Sequence, residues 1–159
     1  SDQIFAIAQV HGLLIEGADS LAPAKLLSLI ASNRSATLGG GWSMVADTSA
    51  GTPWRLNESE AVSLALVFNE LLTNAFKHRG GAGDIVLKLD SQSDRLVVLI
   101  TNPGRLCQPV DPDAPGPLST GLGLVRALLP PQGATLRLSQ AAGCVIAELT
   151  LGHPVVRRA

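Results

Sequence analysis

Apolar residues recur at intervals of three and four along some stretches of the chain and alternate along others. The two periods sort the chain into helices and strands. Ile4, Ile7, Ala8, His11, Leu14 and Ile15 lie at helical spacing, which predicts a first helix over 3–16, stopped at Gly17. Pro23 suits a first helical turn, and Leu26, Leu27, Leu29 and Ile30 carry a second helix to about Ser35. Gly39-Gly40-Gly41 breaks the chain, Trp42–Ala46 reads as a short strand, and Asp47–Pro53 as a turn-rich connection. Asn57-Glu58-Ser59-Glu60 is a helix start, with a cap residue and Glu60 three positions on. That helix runs to about Arg79, where Gly80-Gly81 stops it.

The second half reads as strands. Asp84–Asp90 and Arg95–Thr101 form a hairpin around Ser91–Asp94. Asn102–Thr120 is a long loop with five prolines, and Leu122–Leu129 a short helix ended by Pro130-Pro131. Ala134–Leu138 and Val145–Leu151 make a second hairpin around Ala141-Ala142-Gly143, and the tail from His153 to Ala159 is expected to fray. Strands in hairpins with helices between them predict an α/β (α+β) sandwich: a mixed, largely antiparallel sheet with helices packed on one face.

Composition narrows the function. With 159 residues, 46% hydrophobic and 16% charged, the chain fits one globular domain. A net charge of -1 gives no electrostatic case for nucleic acid, and three Phe, two Trp and no Tyr make an aliphatic core. Cys107 and Cys144 are far apart, with neither a zinc spacing nor a disulfide framework, so a reducing, cytoplasmic setting is the simplest expectation. No apolar run reaches the roughly 18–20 residues of a membrane span. The start has no basic signal region and reads as a helix already under way, so residues 1–20 are expected to be the end of a longer helical segment, 21–152 a domain, and 153–159 a tail.

The helix after Asn57 carries the chemistry. Leu64, Ala65, Phe68, Leu71, Leu72 and Ala75 form a wide apolar face, while Glu70, Asn74 and Lys77, at i, i+4 and i+7, stack along one side. An amide oxygen can complete a magnesium shell, an ammonium can meet phosphate, and a carboxylate can orient or deprotonate a hydroxyl or water. Spacing alone fits a solvated amphipathic face better, since such faces are common. Thr120-Gly121-Leu122-Gly123-Leu124 opens a helix after the long loop, where glycine backbone and helix N–H groups can approach phosphate, though such glycines also serve ordinary turns.

The run Glu70-Leu71-Leu72-Thr73-Asn74-Ala75-Phe76-Lys77-His78 resembles the N-box of the GHKL ATPases, in the ELxxNAxKH form of HWE and HisKA-2 sensor histidine kinases. The resemblance covers about residues 56–151 and implies the Bergerat, histidine-kinase-like ATPase fold. It implies that Asn74 holds Mg2+, that Glu70 is the base or water organiser, and that Lys77 and His78 contact the phosphates of ATP. Ser119 to Leu129 resembles the G2-box, which implies phosphate contacts for Thr120, Gly121, Leu122 and Gly123, with the preceding loop as the ATP lid. Asn102-Pro103-Gly104 stands where the family has its DxGxG G1-box. Gly104 matches the first glycine, Leu106 replaces the second, and Asn102 replaces the adenine-reading Asp. Its amide oxygen can still accept from the adenine amino group, without the charge. Ala142-Gly143-Cys144 has no Thr where the last box often has one, and the lid has no F-box Phe.

The resemblance implies ATP-dependent transfer of a γ-phosphate to a histidine outside the chain. Implied partners are a phosphoacceptor helical segment of the same protein, a response regulator, and a second copy in a full-length homodimer. His11, in Ala8-Gln9-Val10-His11-Gly12-Leu13-Leu14, resembles the second helix of the dimerisation segment and reads as structural. A nucleotide-binding or docking module without kinase activity, and an anti-sigma-type serine kinase, are the alternatives.

Overall fold

The computed structural model describes residues 2–17, 21–46, 54–79, 83–104 and 120–158. Helices α1 (Asp2–Glu16) and α2 (Pro23–Leu38) lead into strands β1 (Trp42–Ala46) and β2 (Trp54–Leu56). Helix α3 (Glu58–Lys77) is followed by β3 (Ile85–Ser91), β4 (Arg95–Pro103), α4 (Thr120–Leu128), β5 (Ala134–Ala141), β6 (Cys144–Gly152) and β7 (Val156–Arg158). The main sheet has the order β1-β3-β4-β6-β5, and β2 pairs with β7 in a separate ribbon. Only the β1–β3 pair of the main sheet is parallel, because α3 lies in the connection between them; the hairpins β3–β4 and β5–β6 are antiparallel, as is β4–β6. The expected mixed, largely antiparallel sheet is therefore present.

Alternation along the strands sends one row of side chains toward the helices. Ile85, Leu87 and Leu89 of β3, Leu96, Val98 and Ile100 of β4, and Ala147, Leu149 and Leu151 of β6 are all buried. Helix α3 lies across this row, in contact with α1, α2, α4 and β4. Its start is held by Asn57, whose Oδ1 accepts from the Ser59 N–H at 3.2 Å and whose Nδ2 donates to the Pro154 carbonyl at 3.1 Å. Replacing Asn57 with Ala removes both bonds and the one Oδ1 accepts from Ser59 Oγ at 3.1 Å. The expected loss is about 1–2 kcal/mol, read from the midpoint of chemical denaturation; an unchanged midpoint would show that the cap contributes nothing.

The helix expected over 3–16 is present as α1, while the expected fraying of the tail fails. Helix α1 turns Ala6, Val10 and Leu13 into the core, while Ala8 and His11 are exposed, Ile4 is 67% exposed and Ile15 87%. Both faces of the helix are apolar enough to bury, and α1 meets α3 and α2 through the face with the smaller side chains. The tail is also ordered over 153–158. β7 pairs with β2, Val155 and Val156 are buried, and the Val155 carbonyl accepts from the Asn57 N–H at 2.8 Å. The Arg158 guanidinium stacks 4.4 Å from the Trp54 ring, and Ser91 Oγ accepts from both Trp54 Nε1, at 2.7 Å, and Arg158, at 3.2 Å. Smaller differences concern lengths: α2 continues to Leu38, and β4 keeps its pairing through Asn102 and Pro103, which the proline count had assigned to the loop.

Candidate functional site

Past its first turn, α3 is buried everywhere except at Val62, Ser63, Leu66, Glu70, Asn74 and Lys77. That is one stripe at helical spacing. Glu70 and Asn74 are half-buried within it, and Lys77 and the capping residue His78 are exposed. The stripe is apolar at Val62 and Leu66 and polar from Glu70 on, so the accessible part of α3's C-terminal half is Glu70, Asn74 and Lys77. Two further polar side chains border it, Asn69 and Thr73, which share one side of α3 at i and i+4. Asn69 is 1% exposed and Thr73 9%, and their Oδ1 and Oγ1 are buried with no hydrogen-bond partner. Unpaired buried oxygens of this kind are normally satisfied by a bound water or ligand. The sequence signal for them was present, two polar residues a turn apart on an apolar helix, but it does not separate a site from a surface.

Helix α4 packs against α3, and it begins at Thr120, so Thr120, Gly121 and Leu122 form its first turn beside the open stripe's helix. Gly123 is buried. Asn102 ends the inward row of β4 that begins with Leu96, Val98 and Ile100, so a polar side chain, 6% exposed, closes an apolar row on the helix-covered face. Its Nδ2 donates to the Pro103 carbonyl at 3.1 Å. Gly104 follows at φ 140°, a backbone conformation that favours glycine, and its N–H donates to the Gly143 carbonyl at 3.0 Å. Helix α3, which carries the stripe, contacts both α4 and β4, the elements that carry Thr120–Gly123 and Asn102. The lid residues 105–119, Cys107 and Gly80-Gly81 lie outside the described residues.

No protein-family model matches the chain, and no curated protein does. Solved structures are similar to it. The Erythrobacter litoralis EL346 blue-light activated histidine kinase is 21% identical with a TM-score of 0.76, covering 94% of this chain and 47% of that one. The histidine kinase domain of the same protein is 22% identical with a TM-score of 0.68, over 96% of this chain and 75% of that one. The catalytic domain of histidine kinase ThkA is 12% identical with a TM-score of 0.59, over 79% and 88%. The fold is the histidine-kinase fold. The chain spans about half the length of the EL346 kinase, at 47%. The run Glu70–His78 forms the C-terminal end of α3 and its cap, Thr120–Leu128 forms α4, and Asn102 is a buried residue of β4.

Among the described residues no three His, Cys, Asp or Glu side chains converge as a metal site, and no helix is long and apolar enough to cross a membrane. The donor set still fits a magnesium nucleotide. Magnesium keeps several waters and takes phosphate oxygens, so one protein amide oxygen, such as that of Asn74, with the neighbouring carboxylate of Glu70 meets its needs.

Proposed function

We propose that the chain is the ATP-binding catalytic domain of a cytoplasmic sensor histidine kinase, a protein phosphotransferase of the GHKL type. The observation that carries this reading is the accessible stripe of α3, which holds Glu70, Asn74 and Lys77 together on a helix whose other sides are buried. The histidine-kinase fold supports it. Asn74 holds Mg2+, which when bound neutralises phosphate charge. Lys77, His78 and the backbone of Thr120 to Gly123 bind the phosphates, and Asn102 with Gly104 receives the adenine.

Transfer forms a P–N bond to an acceptor imidazole and breaks the bond to the β–γ bridging oxygen, so that ADP leaves. Glu70 accepts the hydrogen bond of the imidazole's other N–H and stabilises the charge that develops there. The rest of the rate enhancement is positioning and charge neutralisation. The acceptor is a histidine on a helical segment of the same protein, and a response regulator receives the phosphoryl group. Residues 2–16 are the end of that helical segment. Ile4, Ala8, His11 and Ile15, spaced four, three and four, leave a seam on α1 for another helix in a homodimer.

Titration of the protein with a non-hydrolysable ATP analogue tests the reading. Micromolar binding that weakens when magnesium is chelated is expected; binding no better than about millimolar, or indifferent to magnesium, sinks it. One observation favours a second reading, a nucleotide-binding module without phosphotransfer: Asn102 is uncharged where an acid is the rule. Phosphorylation of an added acceptor segment by radiolabelled ATP separates the two.

A further inference from the structure

The amide of Asn102 has two orientations available in principle, and the fold keeps one. Its Nδ2 donates to the Pro103 carbonyl, while among the described residues none donates to its Oδ1, and that oxygen is not one of the sealed buried atoms. Turning the amide over would place Oδ1 against the Pro103 carbonyl, two acceptors with no proton between them. The orientation therefore depends on where the Pro103 carbonyl sits. Pro103 pairs with Cys144 across β4 and β6, and the next residue, Gly104, is tied to Gly143. On its other side Pro103 packs on Gly83. A Cβ at Gly83 would lie 2.7 Å from Pro103 Cγ and 3.6 Å from its Cβ, too close for a rigid ring to tolerate without moving. Nothing in the backbone at Gly83 demands glycine by conformation, so the vacancy for the proline ring is what the residue provides.

We infer that Gly83 is a positioning residue for Asn102: by admitting the Pro103 ring it sets the carbonyl that engages the Asn102 Nδ2 and leaves its oxygen free to accept, which selects a 6-aminopurine over a 6-oxopurine. The inference rests on the reading that Asn102 meets the base. A free amide oxygen accepts from an exocyclic amino group and opposes the lone pairs of an oxo group. A carboxylate needs no such lock, since both of its oxygens accept. The uncharged side chain at 102 is what makes the neighbouring Gly83–Pro103 contact matter for the base.

The test compares wild type, Gly83→Ala and the double variant Gly83→Ala/Pro103→Ala. The first readout needs no nucleotide: the side-chain amide protons of Asn102, followed by NMR, are expected to be protected from exchange in wild type, exposed in Gly83→Ala, and protected again in the double variant, where the ring is gone. The second is magnesium-dependent binding of non-hydrolysable ATP and GTP analogues. Wild type is expected to prefer the adenine nucleotide, Gly83→Ala to lose about tenfold of that preference, and the double variant to recover it. Gly83→Ala with unchanged Asn102 protection and unchanged preference overturns the inference and leaves the nucleotide reading standing. Protected Asn102 amide protons in a wild type that binds neither nucleotide overturn the nucleotide reading, and the inference about base choice with it. A thermal melt of each variant separates loss of the lock from loss of the fold.

Discussion

Replacing Asn74 with Ala is expected to weaken magnesium–ATP binding by on the order of a hundredfold while leaving the protein folded. Asn74 is half-buried on the open stripe of α3, and its side chain makes no hydrogen bond to a described residue, so its removal orphans no partner. Alanine is also the better helix former, which adds a few tenths of a kcal/mol in the variant's favour. The effect belongs to the metal and disappears with it. Calorimetric titration in a chelator is expected to give wild type and variant the same weak affinity, and titration with magnesium is expected to separate them. Equal affinities in magnesium would remove Asn74 from the site and leave the open stripe without its central ligand.

The largest loss of stability is expected from Phe68→Ala. Phe68 is fully buried, among the largest wholly enclosed side chains, and lies on the side of α3 away from Glu70 and Asn74. Truncation removes its transfer free energy and leaves a cavity between α3 and its neighbours, together about 3–5 kcal/mol. Against the ~5–15 kcal/mol of a typical domain, such a variant is close to half-unfolded at elevated temperature. Urea denaturation measures the loss directly. Nucleotide affinity per folded molecule is expected to stay near the wild-type value at low temperature, because Phe68 supports the helix and does not face the stripe. A destabilisation below about 1 kcal/mol would mean that the core closes over the gap and that α3 is less tightly held than its burial indicates.

These two variants separate what one helix does on its two sides, and that division was legible before any coordinates. The apolar face with Leu64, Phe68, Leu71 and Leu72 and the polar stripe with Glu70, Asn74 and Lys77 follow from 3.6 residues per turn. The hairpins β3–β4 and β5–β6 were readable for a similar reason, since their partners are joined by short turns. The spacing of Asn69 and Thr73 is visible in the sequence, but that their oxygens are buried and unpaired is a property of their surroundings. Pro103 is a poor strand residue and predicts a loop from Asn102 on; pairing with β6 overrides that preference.

By itself the sequence determined which residues share a face within each element, because backbone geometry ties side-chain direction to position along a helix or strand. It thereby determined the Glu70–Asn74–Lys77 stripe and the largely antiparallel α/β architecture. Only the tertiary structure decided which of two apolar faces α1 buries, that the chain's end pairs with β2, and which way the Asn102 amide points. Each of these depends on a partner distant in the chain: α3 for α1, Trp54 for Arg158, and Gly83 for Pro103. Local periodicity carries no term for such partners, and packing does.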